Sequence, residues 1–311
     1  MVNIPQTVIE VALALNYLFV LFIIITSKRV VFKNVFYMMF VATGFADVTS
    51  ILVSCYFRMN SEFQFGPKTR NFTVALMVIH GTAFVAHMIG NLIITINRFS
   101  ILCLKKDSFW TRKNVRIIIC LQYACAFAAL LPTIGVDMIY VKNIDGSYSI
   151  VGMRKQDELI NEFTYIGAAV LYAVIGFILN VKMLVYLRRM LKLSNSARMA
   201  VHEKGMVFCT LIVFGFTMMM CTQQILRGIA ILTENTEFNN RITIHYYWIN
   251  DVMVTIPPCT QLLLNSELRR DIVNFFRCRR HPNSPVRSIF MFSNRHPGLD
   301  RSSHQGRPNA K

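Results

Sequence analysis

The stretch Phe72–Leu104, FTVALMVIHGTAFVAHMIGNLIITINRFSILCL, decides how the rest of the chain is read. It is apolar for longer than the roughly 20 residues a helix needs to cross a bilayer, yet it carries His80, His87, Asn91 and Arg98. At about 100° per residue these four fall within roughly 40° of one another, so a helix would present them as one polar line. Ala83, Ala86 and Gly90 form a second line, of small side chains, along which neighbouring helices can approach closely. A helix with both lines cannot face lipid on every side. It reads as the central helix of a membrane bundle, ending in an arginine at the membrane edge.

Composition agrees with that setting. Hydrophobic residues make up 54% of the chain and charged residues only 16%, too little charge to cover a soluble protein of this size. The net charge of +17 does not point to nucleic acid, because the basic residues sit between apolar runs and in the tail rather than on a basic folded domain. Of the eight cysteines, Cys120, Cys125, Cys209, Cys221 and Cys259 lie inside apolar runs, where they act as small core residues rather than a disulfide framework.

Working outward, six more apolar runs flank the first, at about Thr7–Thr26, Val35–Phe57, Val115–Tyr140, Phe163–Leu187, Gly205–Leu232 and Ile242–Asn265. The fold class is therefore all-α: a bundle of seven transmembrane helices. Thr7 is preceded by no basic segment and no small-residue cleavage site, so a removable signal peptide is not expected. Lys28, Arg29, Lys33, Arg98, Lys105, Lys106, Arg112, Lys113, Arg188, Arg189, Lys192, Arg198 and Lys204 fall on one side of the bundle. They outnumber Arg58, Lys68, Arg70, Lys142, Arg154, Lys155 and Arg241 on the other. The positive-inside rule then puts the N-terminus outside and the C-terminal tail in the cytoplasm.

Polar residues inside a membrane are costly and need a reason. Thr43, Asp47, Ser50 and Ser54 share one helix face, and Asp47 should point into the bundle, relieved by a proton, a sodium ion or partners such as Asn91. Asp251, Thr255 and Pro258 share another face, and the Pro257-Pro258 pair frees backbone carbonyls and should kink the seventh helix. The outer halves of the helices supply a candidate ligand pocket from Glu10, His80, Asp137, Gln223, Gln224, Arg227, Tyr246, Tyr247, Trp248 and Asp251. Arg227 could clamp an anionic ligand, snorkel to the interface, or pair with Glu234. His80 and His87 stand two turns apart, about 10 Å, too far to share one metal ion without rearrangement.

After the last run, Ser266–Arg277 spaces Leu268, Ile272, Phe275 and Phe276 as an amphipathic helix, with Arg269, Arg270 and Arg277 placed to meet anionic headgroups. Cys278 is a candidate palmitoylation site beside that helix. Residues 279–311 have the composition of a disordered basic tail, with Ser288, Ser293, Ser302 and Ser303 as candidate phosphorylation sites. Asn71-Phe72-Thr73 is a glycosylation sequon on the outer side. The chain has no glycine-rich phosphate loop, metal-spaced cysteine pair or nucleophile elbow, so neither a cofactor nor a catalytic residue is assigned.

The segment HMIGNLIITINRFSILCL from His87, followed by FWTRKNVRIIICLQYACAF from Phe109, resembles the nematode serpentine chemoreceptors, nearest to the Srv class of the Srg superfamily. The resemblance implies a G-protein-coupled chemosensory receptor at the plasma membrane of a sensory cell, with a small-molecule ligand and a heterotrimeric G protein as partners. It implies that Asn97, Arg98 and Phe99 stand at the coupling end of the third helix. Arg98 takes the place of the arginine in the Asp-Arg-Tyr motif of rhodopsin-like receptors, and Asp47 that of their buried aspartate. Arg188, Arg189, Lys192, Arg198 and Lys204 would line the G-protein site. The departures are as informative. Asn97 replaces an acid, no cysteine stands where the usual outer disulfide would form, and Ile256-Pro257-Pro258-Cys259 replaces Asn-Pro-x-x-Tyr. A ligand-gated channel or transporter could use the same intramembrane Asp and His residues, and a membrane metal hydrolase is a more remote reading.

Overall fold

A computed structural model describes residues 4–63, 66–142, 148–193 and 197–280. The described residues form eight α-helices: α1 Ile4–Thr26, α2 Val35–Phe63, α3 Arg70–Leu104, α4 Arg112–Ala129, α5 Lys155–Leu193, α6 Ala197–Leu232, α7 Thr236–Leu264 and α8 Ser266–Arg280. Five of them, α1, α2, α3, α5 and α6, are long and apolar enough to cross a membrane. The other two members of the bundle are more polar for visible reasons. Arg112, Lys113 and Arg116 open α4, and α7 carries Glu237, Arg241, Asn250 and Asp251.

Local chemistry sets the helix ends. Lys105 takes a left-handed conformation at φ 52° and closes α3. The Thr111 hydroxyl accepts the Asn114 amide at 3.2 Å to open α4, and the Asn235 side chain accepts the Phe238 amide at 3.0 Å to open α7. Asn265 does the same for α8, accepting from Glu267 and Leu268 at 3.1 and 3.2 Å.

The fourth apolar run predicts helix as far as Tyr140, and here the structure differs. The helix stops at Ala129, because Pro132 has no amide proton to donate and restricts Leu131, and a tight turn over Leu131–Thr133 follows. Gly135, at φ +87°, then turns the chain into an antiparallel hairpin of β1 Met138–Lys142 and β2 Tyr148–Met153. The part of the 140–162 connection expected as loop is thus largely strand followed by the first turns of α5.

The third helix is central, as its two stripes require: it packs against α2, α4, α5 and α6. Ala83, Ala86 and Gly90 are buried. A methyl at Gly90 would collide with Thr43 of α2 and Gln122 of α4, and the Gln122 amide donates to the Ala86 carbonyl at 2.8 Å. Gly81 marks a second close approach, where a methyl would strike the Tyr165 hydroxyl of α5. Leu102, Leu187 and Val207 close the basic end of the bundle. Outward faces are apolar, with Phe163, Leu171, Val174 and Phe177 exposed along α5 as lipid contact demands.

Contacts divide the chain into a unit ending at Val273 and a second beginning at Asn274. In the first, Leu268 of α8 is fully buried and the Arg269 guanidinium donates to the Leu262 carbonyl at 3.1 Å and to that of Leu263, satisfying carbonyls that α7 leaves open. Arg29, beyond α1, pairs with both Glu267 and Asp271, and Ser27 donates to Asp271 at 2.6 Å. In the second unit, the Phe275 and Phe276 rings meet edge to face.

Candidate functional site

The polar residues of the bundle gather at three levels. At the middle, Asp47 of α2 is fully buried and uses both carboxylate oxygens. The Tyr17 hydroxyl of α1 donates to one at 2.6 Å, and His87 Nδ1 of α3 lies 2.5 Å from the other. His87 Nε2 in turn meets the Asn91 amide at 2.8 Å. Asn91 therefore reaches Asp47 through His87 rather than directly, and Tyr17 is a partner that sequence reading missed. The signal was available: Glu10 and Tyr17 are seven residues apart, nearly the same angle on a helix, in an otherwise apolar run.

Toward the N-terminal end of α1 lies a charged cluster. Arg58 of α2 pairs with Glu10 of α1 and, at 3.1 Å, with Asp251 of α7. Its guanidinium also lies 4.8 Å from the Tyr247 ring centre, a cation–π contact. Cys55 donates to the second oxygen of Glu10 at 3.3 Å. Glu10 and Asp251 are both buried, so two carboxylates share one cation away from water. Asp251 Oδ1 has no hydrogen-bond donor among the described residues, and Arg58 Nε and Nη1 have no acceptor. Arg58 reads from sequence as an outer-loop charge, yet it falls within about 20° of Asp47 on the helix and extends the Thr43–Ser54 face.

A second cluster repeats the pattern between α5 and α6. Arg227 faces Glu158 and Glu162 at 3.5 Å each, and Glu162 is almost wholly buried. Of the alternatives open to Arg227, pairing with Glu234 is not formed. Glu234 instead pairs with Lys155 on the surface, and that ammonium holds the Glu234 carboxyl below the usual range. Between the clusters, His80 Nε2 meets the Tyr246 hydroxyl at 2.9 Å, and Ser50 links His80 at 3.5 Å to Asn250 at 3.4 Å. His80 and His87 thus serve separate networks, and the described residues contain no group of His, Cys, Asp and Glu arranged to hold a metal.

Trp248 and Asp137 lie apart from these clusters. Trp248 is exposed on the outer face of α7. Asp137 sits at the rim before β1, paired with Arg70 and, at 3.4 Å, with Arg154. Gln223 and Gln224 are buried in α6, where the Gln224 amide donates to Gln223 at 2.8 Å. Asn71 is exposed in the first turn of α3, but Thr73 of its sequon is buried with its hydroxyl 3.0 Å from Tyr56.

At the basic end, Asn97 and Arg98 are buried and Phe99 half-buried. The Arg98 guanidinium stacks 3.9 Å above the Phe36 ring of α2, and the Asn265 amide donates to the neighbouring Tyr37 hydroxyl at 2.5 Å. Arg188 and Arg189 are exposed near the end of α5. The side chains of Lys192, Arg198, Lys204 and Cys278, and residues 281–311 with Ser288, Ser293, Ser302 and Ser303, lie outside the described set. Pro257 and Pro258 lie inside a continuous α7, where Thr260 donates to the Pro257 carbonyl at 2.9 Å and Thr255 to the Asp251 carbonyl at 2.6 Å. A void of about 30 Å³ beside Pro257 is lined by α2, α3, α5, α6 and α7, among them Asn91, Tyr172 and Gln261.

Residues 6–278 match the family described as serpentine type 7TM GPCR chemoreceptor Srv. The match runs from the first turn of α1 into the last turn of α8. No curated protein matches the chain. The family is one of multi-pass membrane chemoreceptors rather than enzymes, and the bundle agrees with its seven crossings. The chain belongs to the Srv family of serpentine seven-transmembrane chemoreceptors.

Proposed function

We propose that the protein is a G-protein-coupled chemosensory receptor, placed in the plasma membrane of a sensory cell with its N-terminus outside. A small extracellular ligand binds in the outer half of the bundle, and the opposite end meets a heterotrimeric G protein. The observation that carries this reading is the series of buried polar networks stacked through the bundle. Glu10–Arg58–Asp251, Asn250–Ser50–His80 and Asp47–His87–Asn91 are three separate groups at successive levels, and α3 continues from the last of them to Arg98. From His80 to Arg98 is 18 residues of one helix, about 27 Å, nearly the depth of the hydrocarbon core.

The mechanism is a population shift. A ligand moves the resting equilibrium only as far as its affinities for the two states differ, and turning a 1:99 mixture into 99:1 takes about a 10⁴-fold difference. The outer networks offer a physical source for that difference. A ligand that supplies donors to Glu10 and Asp251, or to Glu162, competes with Arg58 and Arg227 for those carboxylates and loosens the ties between α1, α2 and α7 or between α5 and α6. Asn97, Arg98 and Phe99, with Arg188, Arg189 and Lys204, form the coupling surface. With no acid at position 97, the Phe36 ring is one resting contact of Arg98.

Cells expressing the receptor, challenged with extracts that the animal senses and read for cAMP, cGMP and calcium, test the proposal against Arg98→Ala at matched surface level. A response in the parent that is lost in the variant is expected. A response that persists in Arg98→Ala under G-protein blockade would instead give the protein to the channel or transporter class.

A further inference from the structure

We propose that a groove outside the ligand bundle, along α1, α2 and α4, is a binding site for an acidic phospholipid. A cavity of about 590 Å³ opens there between Ile25 of α1, Phe32, Ala42 and Phe45 on and before α2, and Ile119 and Tyr123 of α4. A second cavity of about 250 Å³ shares Phe45 and Tyr123 and continues between α2, α3 and α4 to Thr49 and Thr82. The pair form one elongated recess in the face that a membrane would cover. Measured along α2 at 1.5 Å per residue, Val35 to Phe45 is about 15 Å, the depth of one leaflet's hydrocarbon. Tyr123 presents only its ring, because its hydroxyl donates to the Ala42 carbonyl at 2.6 Å.

Charge separates this recess from an ordinary lipid contact. Lys33 lines the cavity, and the Arg112 guanidinium at the start of α4 is held against the Lys33 backbone, donating to its carbonyl at 3.3 Å, so two exposed basic residues meet at that end of the recess. Arg116 is exposed one turn further along α4. Arg29 is committed to Glu267 and Asp271, whereas Lys33 and Arg112 form no ion pair among the described residues. An acyl chain in the recess would put a phosphate and a second anionic group between these cations. A sterol has the apolar body without the charge. Since the recess lies on the side of α2 and α4 away from the α1–α2–α7 charge cluster, the site is independent of how the ligand is sensed.

Native mass spectrometry of the detergent-purified full chain, titrated separately with phosphatidylserine, phosphatidylcholine and cholesterol, reads the site. The parent is expected to retain one phosphatidylserine in about thirtyfold preference over phosphatidylcholine, the scale that two interfacial cations at about 1 kcal/mol each supply. Lys33→Ala/Arg112→Ala should bring the two phospholipids to parity, and Ala42→Phe should lower retention of both by filling the recess. Equal retention of the two phospholipids by the parent, a preference unchanged in the double variant, or displacement of phosphatidylserine by cholesterol would each overturn the proposal. Should Ala42→Phe not fold, a phosphatidylserine carrying a photoreactive acyl chain decides on the parent: label in the Ile119–Tyr123 segment supports the site, and label confined to other helices refutes it.

Discussion

Two buried ionisable clusters tie α2 to its neighbours, and they are built on opposite principles. Around Asp47 the bonds are used up: one oxygen takes Tyr17, the other His87, and His87 passes its second nitrogen to Asn91. Around Arg58 they are not, since Asp251 and Arg58 keep buried polar atoms without a hydrogen-bond partner among the described residues. Full satisfaction rigidifies, and loss of any member then leaves a costly orphan. Incomplete satisfaction stores the capacity to bind something else. The saturated cluster therefore reads as framework and the unsaturated one as the place where a ligand can alter the balance.

The largest effect should come from breaking the framework. Asp47→Ala strands the Tyr17 hydroxyl and His87 at once, and two unsatisfied buried groups cost about 2–6 kcal/mol. We expect a large fall in the melting temperature of the purified protein, with Asp47→Asn recovering part of it. A melting temperature unchanged by Asp47→Ala would show that the central cluster carries no stability.

Next comes the outer cluster. Asp251→Asn keeps shape and hydrogen-bonding capacity, removes one of the two negative charges around Arg58 and leaves Glu10 to balance the guanidinium. If ligands act there, the concentration giving half-maximal response should move at least about tenfold, or 1.4 kcal/mol, while stability changes less than in Asp47→Ala. Equal damage to stability in both variants would erase the distinction between the clusters.

Much of this contrast was legible in the sequence, for a geometric reason. Helical periodicity alone places Thr43, Asp47, Ser50 and Ser54 on one face and His80, His87 and Asn91 on another, and packing α2 on α3 through Gly90 brings them together. Periodicity says nothing about which acid meets which base across helices. Arg58 lies at the right angle but reads as a loop charge, because nothing in a single sequence tells where an apolar run ends in space. Arg227 and Glu234 were close in sequence, yet the left-handed turn at Glu234, φ 54°, carries that side chain to Lys155 and leaves Arg227 facing α5. The hairpin after α4 was hidden for the converse reason. Ile134–Tyr140 is apolar enough to pass for helix, and only Pro132 and Gly135 betray the turn.

A smaller effect is expected where α3 meets the basic end. Phe36→Leu keeps an apolar side chain but removes the ring beneath Arg98, and a desolvated cation–π contact contributes about 1–2 kcal/mol. If the contact restrains the resting state, basal second-messenger output should rise about five- to thirtyfold at matched surface level. Unchanged basal output would move the restraint to another partner of Arg98.

The smallest effect belongs to the exposed pair that resembles the buried clusters only on paper. Lys155 and Glu234 are both more than half exposed, so water and salt screen their attraction. The sign of its pH dependence is nonetheless fixed. Because the Glu234 carboxyl is held below its ordinary range, its contribution is present at neutral pH and disappears as acid is added through that lowered value. Glu234→Gln should therefore leave both the melting temperature and the ligand response at neutral pH within experimental error, in low and in high salt. A clear loss in response from so exposed a substitution would mean that the α6–α7 turn takes part in ligand entry, and would extend the unsaturated region from the bundle interior to its rim.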